Sequence, residues 1–279
     1  FLAVKFPVPS NALQTPQMWS LSEYKDGWLI GTNIGLYKAV KNGDRYHINF
    51  VAHTGQSKIT NTWVNRNQEV WIIMEAKGIL IVKDIDDKAE PARIFSDVNV
   101  KSVQHDAPHQ LLWIATSEGL IAYHLPSGTH TYYGEAAGLA NSYIYGVIPT
   151  HDELWLSTNY GLSRAKTTYT NQSFFPNIEF TNFTKADGLL ANEFNTGAFY
   201  KSTTGTLYFG TTNGVVWFNP AEVTANLQTP PLRLINLLVN DESPDSTMAP
   251  EYITHLHLPH FSNNIFFRFR GIDFNNGPQ

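Results

Sequence analysis

Trp155-Leu156-Ser157-Thr158-Asn159-Tyr160-Gly161-Leu162 is the most regular copy of a phrase that occurs five times along the chain. An aromatic leads it, β-forming residues follow, then a polar pair, a glycine and aliphatic residues. The other copies are led by Trp28, Trp71, Trp113 and Tyr208, with their glycines at Gly35, Gly78, Gly119 and Gly214. Successive lead aromatics stand 43, 42, 42 and 53 residues apart. A period near 42 with β-type sequence in each unit is the signature of propeller blades.

Around Trp113 the residues alternate over short stretches instead of repeating every 3.6 positions, which argues strands. Residues 100–105 read as one strand, 106–109 as a turn and 111–115 as the next strand. After a turn at Gly119 come strands over 120–123 and 130–133, separated by a turn through Pro126 and Gly128. Four antiparallel strands make one blade, and glycine at the second turn supplies the backbone freedom of a tight reversal. The expected fold class is all-β, a β-propeller of four-stranded antiparallel blades with the lead aromatics buried between neighbours.

Composition narrows the function. In 279 residues there are 24 carboxylates against 19 Lys and Arg, so the basic stripe of a nucleic-acid binder is missing. The absence of cysteine excludes disulfide and thiolate chemistry. No run of about 18 apolar residues spans a membrane, and no signal peptide is visible. Phe1 is not an initiator methionine, so the chain is expected to be cut or processed.

A second motif precedes the later units: Gly138-Leu139-Ala140-Asn141-Ser142-Tyr143 and Gly188-Leu189-Leu190-Ala191-Asn192-Glu193-Phe194. Weaker counterparts surround Asn61 with Trp63, and Asn99. The segment falls where one blade crosses to the next, and this crossing is expected to open on the same face as the Thr-Asn-x-Gly turn. Beyond Pro220 the pattern breaks, Thr229-Pro230-Pro231 punctuates it, and 232–239, 253–258 and 265–270 alternate as strands of a sandwich. Three strands cannot bury a sandwich core alone, so this part reads as the first half of a truncated domain. Residues 1–6 suit the outer strand of a lost blade. Five units imply a closed five-bladed ring, a pairing with another copy, or the remainder of a longer propeller.

With both motifs in place the chain resembles the two-component-regulator propeller family, the extracytoplasmic sensor regions of bacterial hybrid histidine kinases and related receptors. The unit from Gly138 through Trp155, Thr158, Gly161 and Arg164 follows that family's repeat, as does the unit ending at Asn219-Pro220. The stretch from Leu256 through Pro259, Asn263 and Ile265 to Phe269 resembles the start of the triple-tyrosine immunoglobulin-like domain that follows such propellers. The second unit departs, with Met74-Glu75-Ala76 replacing Gly-Thr. The resemblance implies 1–228 as propeller repeats and 229–279 as the N-terminal part of an immunoglobulin-like β-sandwich. It also implies a periplasmic location, sensing of a small molecule or glycan, and a kinase or diguanylate cyclase output elsewhere. The strand at 265–269 and the connection at 229–231 would carry the signal. A homodimer through the sandwich or an open propeller edge is a further expectation; nucleic acid is not, and a membrane enters only through missing segments.

Asn33, Asn61, Trp63, Asn141, Tyr143, Asn159, Tyr160, Asn192, Phe194 and Asn213 are expected along the shared face, where amides suit hydroxyls and rings suit sugar faces. From these, Trp63, Asn141, Tyr143, Asn159, Tyr160, Asn192 and Phe194 are the candidate ligand-binding residues. Recurrence in each blade also suits a purely structural role, local turn hydrogen bonds for the asparagines above all. His255 and His257 share one face if 253–258 is a strand, but no Cys or carboxylate accompanies them and Pro259 redirects His260, so no metal is expected. Asp84, Asp86 and Asp87 read as a solvated turn rather than a calcium loop, and Asp241-Glu242 as a solvated linker pair. No cofactor loop and no nucleophile arrangement is present. Glu118 and Glu193 are the carboxylates an enzymatic alternative would need over the axis; a protein-interaction scaffold is the other alternative.

Overall fold

The computed structural model describes residues 15–43, 45–87, 89–223, 232–244 and 248–271. Residues 1–6, the connection at 229–231 and the exit at 275–278 lie outside the described residues. The chain divides into two compact units, Phe1–Val223 and Thr224–Gln279.

The first unit is a five-bladed propeller arrangement. Its sheets run β1 (Met18–Tyr24) to β4 (Arg45–Val51), with β2 (Gly27–Thr32) and β3 (Gly35–Asn42) between, then β5 (Ile59–Val64), β6 (Val70–Met74), β7 (Gly78–Val82) and β8 (Ala92–Ile94). The third holds β9 (Val100–Asp106), β10 (Leu111–Thr116), β11 (Leu120–His124) and β12 (His130–Tyr133). The fourth holds β13 (Ile144–Pro149), β14 (Glu153–Thr158), β15 (Gly161–Thr168) and β16 (Asn177–Phe183). The fifth has three strands among the described residues, β17 (Phe194–Lys201), β18 (Leu207–Thr211) and β19 (Gly214–Phe218), rather than the four expected. Every pairing is between consecutive antiparallel strands, and the innermost strands follow one another from β1 through β5, β9 and β13 to β17.

Alternation along each strand sends one set of side chains to the preceding sheet and the other to the following one. Leu112 and Ile114 of β10 pack with Trp71, Ile73 and Ile79, whereas Trp113 and Ala115 pack with Ile144, Leu154 and Leu156. Trp155 in turn meets Phe194, Leu207 and Phe209. A two-sided sheet therefore has near-continuous apolar strands, as Leu111–Thr116 shows with all six residues buried. Fully burying one such side chain contributes about 1.5–3 kcal/mol.

The first lead aromatic is out of frame. Thr32, Thr158 and Thr211 each pair with their turn glycine, and three residues back from them lie Leu29, Trp155 and Tyr208. The same count from Met74 in the second sheet reaches Trp71. Trp28 is one residue too early, and a one-residue slip puts a side chain on the opposite face. Leu29 fills the slot towards the second sheet, fully buried, while Trp28 packs with Ile30, Ile34, Tyr37 and Ala39 on the other side. The turn of the second sheet is one residue longer, through Ala76 at φ 54, which made the two units look alike. From Leu29 to Trp71 the step is 42 residues, equal to the next two.

The threonine is a turn fastener. Thr158 Oγ1 donates to the Gly161 carbonyl at 2.8 Å and accepts from Tyr160 N at 3.1 Å. Thr32, Thr116 and Thr211 repeat this arrangement. Gly161 itself sits at φ +97, where a Cβ would meet the Phe183 carbonyl at 2.3 Å.

The second unit contains β20 (Leu232–Val239) paired antiparallel with β21 (Ile265–Gly271). The expected strand at 253–258 is absent; those residues follow a turn at Pro250–Tyr252 and have no pairing partner among the described residues. Without that strand, the alternation that placed His255 and His257 on one face is lost.

Candidate functional site

One hydrogen bond recurs in every sheet and fixes the candidate face. The first residue of the turn between the second and third strands donates its N–H to the carbonyl of the residue immediately before the innermost strand. The pairs are Asn33 to Gln17 (3.1 Å), Glu75 to Lys58 (3.0 Å), Ser117 to Asn99 (3.1 Å), Asn159 to Tyr143 (3.0 Å) and Thr212 to Glu193 (3.2 Å). The crossings and the turns therefore share one rim, as their sequences suggest.

Immediately inside that rim each innermost strand carries a bulge. Met18 pairs with Thr32 and Ser20 with Gly31, leaving Trp19 unpaired. The same skip leaves Thr60, Lys101 and Tyr145 unpaired in the next three sheets, and Asn195 begins a longer skip in the fifth. A bulge re-aims the extra side chain out of the ladder. The threonine and glycine of the turns recur because they build the blade; the bulge residues occupy a repeated position with five different side chains.

The side chains around these bulges interact. The Lys58 ammonium lies 4.0 Å from the Trp19 ring centroid and 2.8 Å from Glu75 Oε1. The Lys101 ammonium lies 4.8 Å from the ring centroid of Tyr143, whose ring meets Tyr145 at 5.1 Å. Tyr145 donates its hydroxyl to Asn159 Oδ1 at 3.1 Å. Burial pushes the Tyr145 phenol up, and the charges of Glu193 and Tyr143 add to this. Tyr160 stands beside them, 56% exposed.

Of the residues singled out from sequence, the structure brings Tyr143, Asn159 and Tyr160 together on this rim. Asn141 and Asn192 belong to the adjoining crossings and are tied down locally. Asn141 Oδ1 accepts from Tyr143 N at 3.0 Å, and Asn192 Oδ1 accepts from Lys185 N at 2.8 Å. Asn33 Oδ1 accepts from Gln17 N at 2.6 Å across the crossing, Asn61 Oδ1 accepts from the adjacent Thr62 N at 2.7 Å, and the Asn213 N–H donates to Thr211 Oγ1 at 3.2 Å.

Two candidates lie elsewhere. Trp63 lies in β5 five residues on from Lys58, about 16 Å at strand rise, and packs edge-on to Trp71 at 5.7 Å and beside His105. Phe194 is 1% exposed and its ring meets Phe209 edge-on. Both rings belong to the layers between sheets. Trp19, Lys58, Lys101 and Tyr145 were missed, although each of Trp19, Lys101 and Tyr145 directly follows the first apolar residue of its strand.

Of the carboxylates an enzyme would need, Glu118 acts on Tyr132 and Glu193 on Tyr145. No group of three His, Cys, Asp or Glu side chains among the described residues suits a metal ion. Asp84 and Asp86 are latched to the first sheet rather than free: Asp84 accepts from Tyr24 and Lys25, and Asp86 pairs with Lys38.

No protein-family model matches the chain. A curated relative, histidine kinase P4 of Formosa agariphila, is 24% identical over 195 residues, 67% of this chain and 14% of that protein. Among solved structures, the extracellular domain of a protein designated a hybrid two component system of B. thetaiotaomicron superposes with TM-score 0.68 at 18% identity. It covers 96% of this chain and 37% of its own. A second such extracellular domain from B. thetaiotaomicron gives TM-score 0.56 at 14% identity, covering 84% and 32%. A streptogramin B lyase gives 0.50 at 16% identity, covering 77% and 72%. The chain thus spans a minor part of the first relatives it matches. No helix among the described residues is long and apolar enough to cross a membrane.

Proposed function

We propose that this chain is the extracytoplasmic, periplasmic ligand-sensing module of a bacterial two-component or related receptor. It binds a small molecule or glycan on the rim and relays occupancy through the second unit. The observation that carries the reading is the rim itself, an invariant hydrogen-bonded frame carrying unlike side chains at Trp19, Thr60, Lys101 and Tyr145. Aromatic rings, an amide and a cation suit recognition of a polar ring. The likeness to extracellular sensor domains supports the same reading, because it extends over 96% of the chain, beyond the five sheets. The lyase likeness reaches only 77%. An immunoglobulin-like continuation of β20 and β21 belongs to this proposal.

A thermal-shift screen against oligosaccharides and small metabolites tests it, since a ligand that binds only the folded state raises the melting temperature. The expected result is a saturable shift with the ligand recovered unchanged. Turnover of the ligand would establish the enzymatic alternative instead.

A second reading is favoured by Tyr200, Tyr208 and Trp217, which face one another across β17, β18 and β19 and are 62%, 37% and 67% exposed. This row occupies the slot that Trp71, Trp113 and Trp155 fill between sheets. It is a surface built for contact with another β-sheet, whether in a second copy or in a longer chain.

A further inference from the structure

Three lysines among the described residues are half-buried: Lys38, Lys58 and Lys101. Lys38 is neutralised by Asp86 and Lys58 by Glu75. Lys101 has no carboxylate within ion-pair distance among the described residues; its ammonium lies over the Tyr143 ring. Withdrawing an ammonium partly from water without an opposite charge is unfavourable, and a ring face offsets only part of that loss. Here the bulge at Lys101 holds the side chain outside the ladder, at the rim, beside Tyr143 and Tyr145.

We propose that Lys101 sets the charge of the ligand, and that the rim binds an acidic saccharide whose carboxylate meets Lys101 while its ring lies against Tyr145. This rests on the sensing reading above and deepens it. The remaining charges on the rim fit a ligand that is anionic at one point only. Glu75 is occupied by Lys58, Glu118 acts on Tyr132, and Glu193, near enough to act on the Tyr145 phenol, suits ligand hydroxyls as an acceptor. Asn159, already holding the Tyr145 hydroxyl, orients that phenol so that its remaining lone pair accepts from the sugar. Lysine, a compact and strongly hydrated charge, tolerates carboxylates of varied approach.

The test is calorimetric titration of the 279-residue chain with trigalacturonate and trimannuronate, each beside its methyl ester, which keeps the ring and removes the charge. Lys101→Met, Lys101→Arg and, as an exposed charge control, Lys166→Met are compared, with melting curves confirming that each variant folds. An acid trisaccharide should bind and its ester should not. Lys101→Met should weaken binding about ten-fold or more, Lys101→Arg should retain it, and Lys166→Met should leave it unchanged. Ester binding as tight as acid binding, or an unaltered Lys101→Met, would overturn the charge assignment and leave the sensing reading intact. Silence of all four probes would overturn the acidic-saccharide assignment, while the wider ligand screen decides the sensing reading separately.

Discussion

The hydroxyl of Tyr169, from the loop between β15 and β16, donates to the carboxylate of Asp106, at the end of β9, at 3.2 Å. Asp106 also accepts from Trp113 Nε1 at 3.2 Å and meets His109 Nδ1 at 3.0 Å, and the His109 ring stacks on Tyr169 at 3.6 Å. Burial, with the Asp106 charge beside it, pushes the Tyr169 phenol far up. The third and fourth sheets are thus latched at the end away from the rim. Replacing Asp106 with Ala leaves two buried donors without an acceptor and is expected to cost about 2–4 kcal/mol, against about 1 kcal/mol for Tyr169→Phe. Urea unfolding of the two variants and their double mutant measures the coupling.

A similar latch joins the first two sheets and gives a pH dependence. The backbone N–H of Asp86 and then the Lys25 ammonium hold the Asp84 carboxyl down at about 2, from 3.8. A carboxyl depressed in the folded state stabilises above its unfolded value, and that stability is lost as pH falls from about 4 towards 2. Because the side chain is 46% exposed, screening limits the effect to less than about 1 kcal/mol. Acid titrations of stability should show a shallower loss over this window in Asp84→Asn than in the parent.

The turn fastener is testable at one site. Thr158→Val removes a buried hydroxyl that both donates and accepts, and a loss of about 1–3 kcal/mol is expected. Gly161→Ala should cost at least as much, because its φ of +97 and the Phe183 carbonyl at 2.3 Å both oppose a Cβ. Equilibrium unfolding of each variant provides the check.

The frame slip in the first sheet yields a comparison of tryptophans. Trp155, 1% exposed between sheets, should lose about 3–5 kcal/mol on replacement by Ala. Leu29→Ala should lose about 2–5 kcal/mol, since Leu29 holds the equivalent slot. Trp28→Ala, at a side chain only half-buried on the opposite face, should lose less than Trp155→Ala. Equal losses at Trp28 and Trp155 would restore the simple reading of the repeat.

That slip also shows what a sequence period can and cannot convey. The strands of the third sheet were legible to within a residue or two, because apolar alternation and turn glycines are local features. The facing of Trp28 was not, since it depends on whether the following turn has two residues or three. The bulges were equally hidden: an extra residue in a strand is visible only once its partner strand is in register. Thus Tyr143, Asn159 and Tyr160 emerged from their repeated motifs, while Trp19, Lys101 and Tyr145 did not. Trp63 and Phe194 stood in suitable motifs, but their strands direct them into the layers between sheets. The pattern at 253–258 alternates like a strand but has no pairing partner among the described residues.

The claim that recognition occurs on the rim is tested most directly by hydrogen–deuterium exchange, with and without a ligand identified by thermal shift. Protection should rise in the peptides carrying Asn99 to Lys101, Tyr143 to Tyr145 and the turn at Asn159 and Tyr160. Protection confined to the outer strands β4, β8, β12 and β16, with these peptides unchanged, would contradict it.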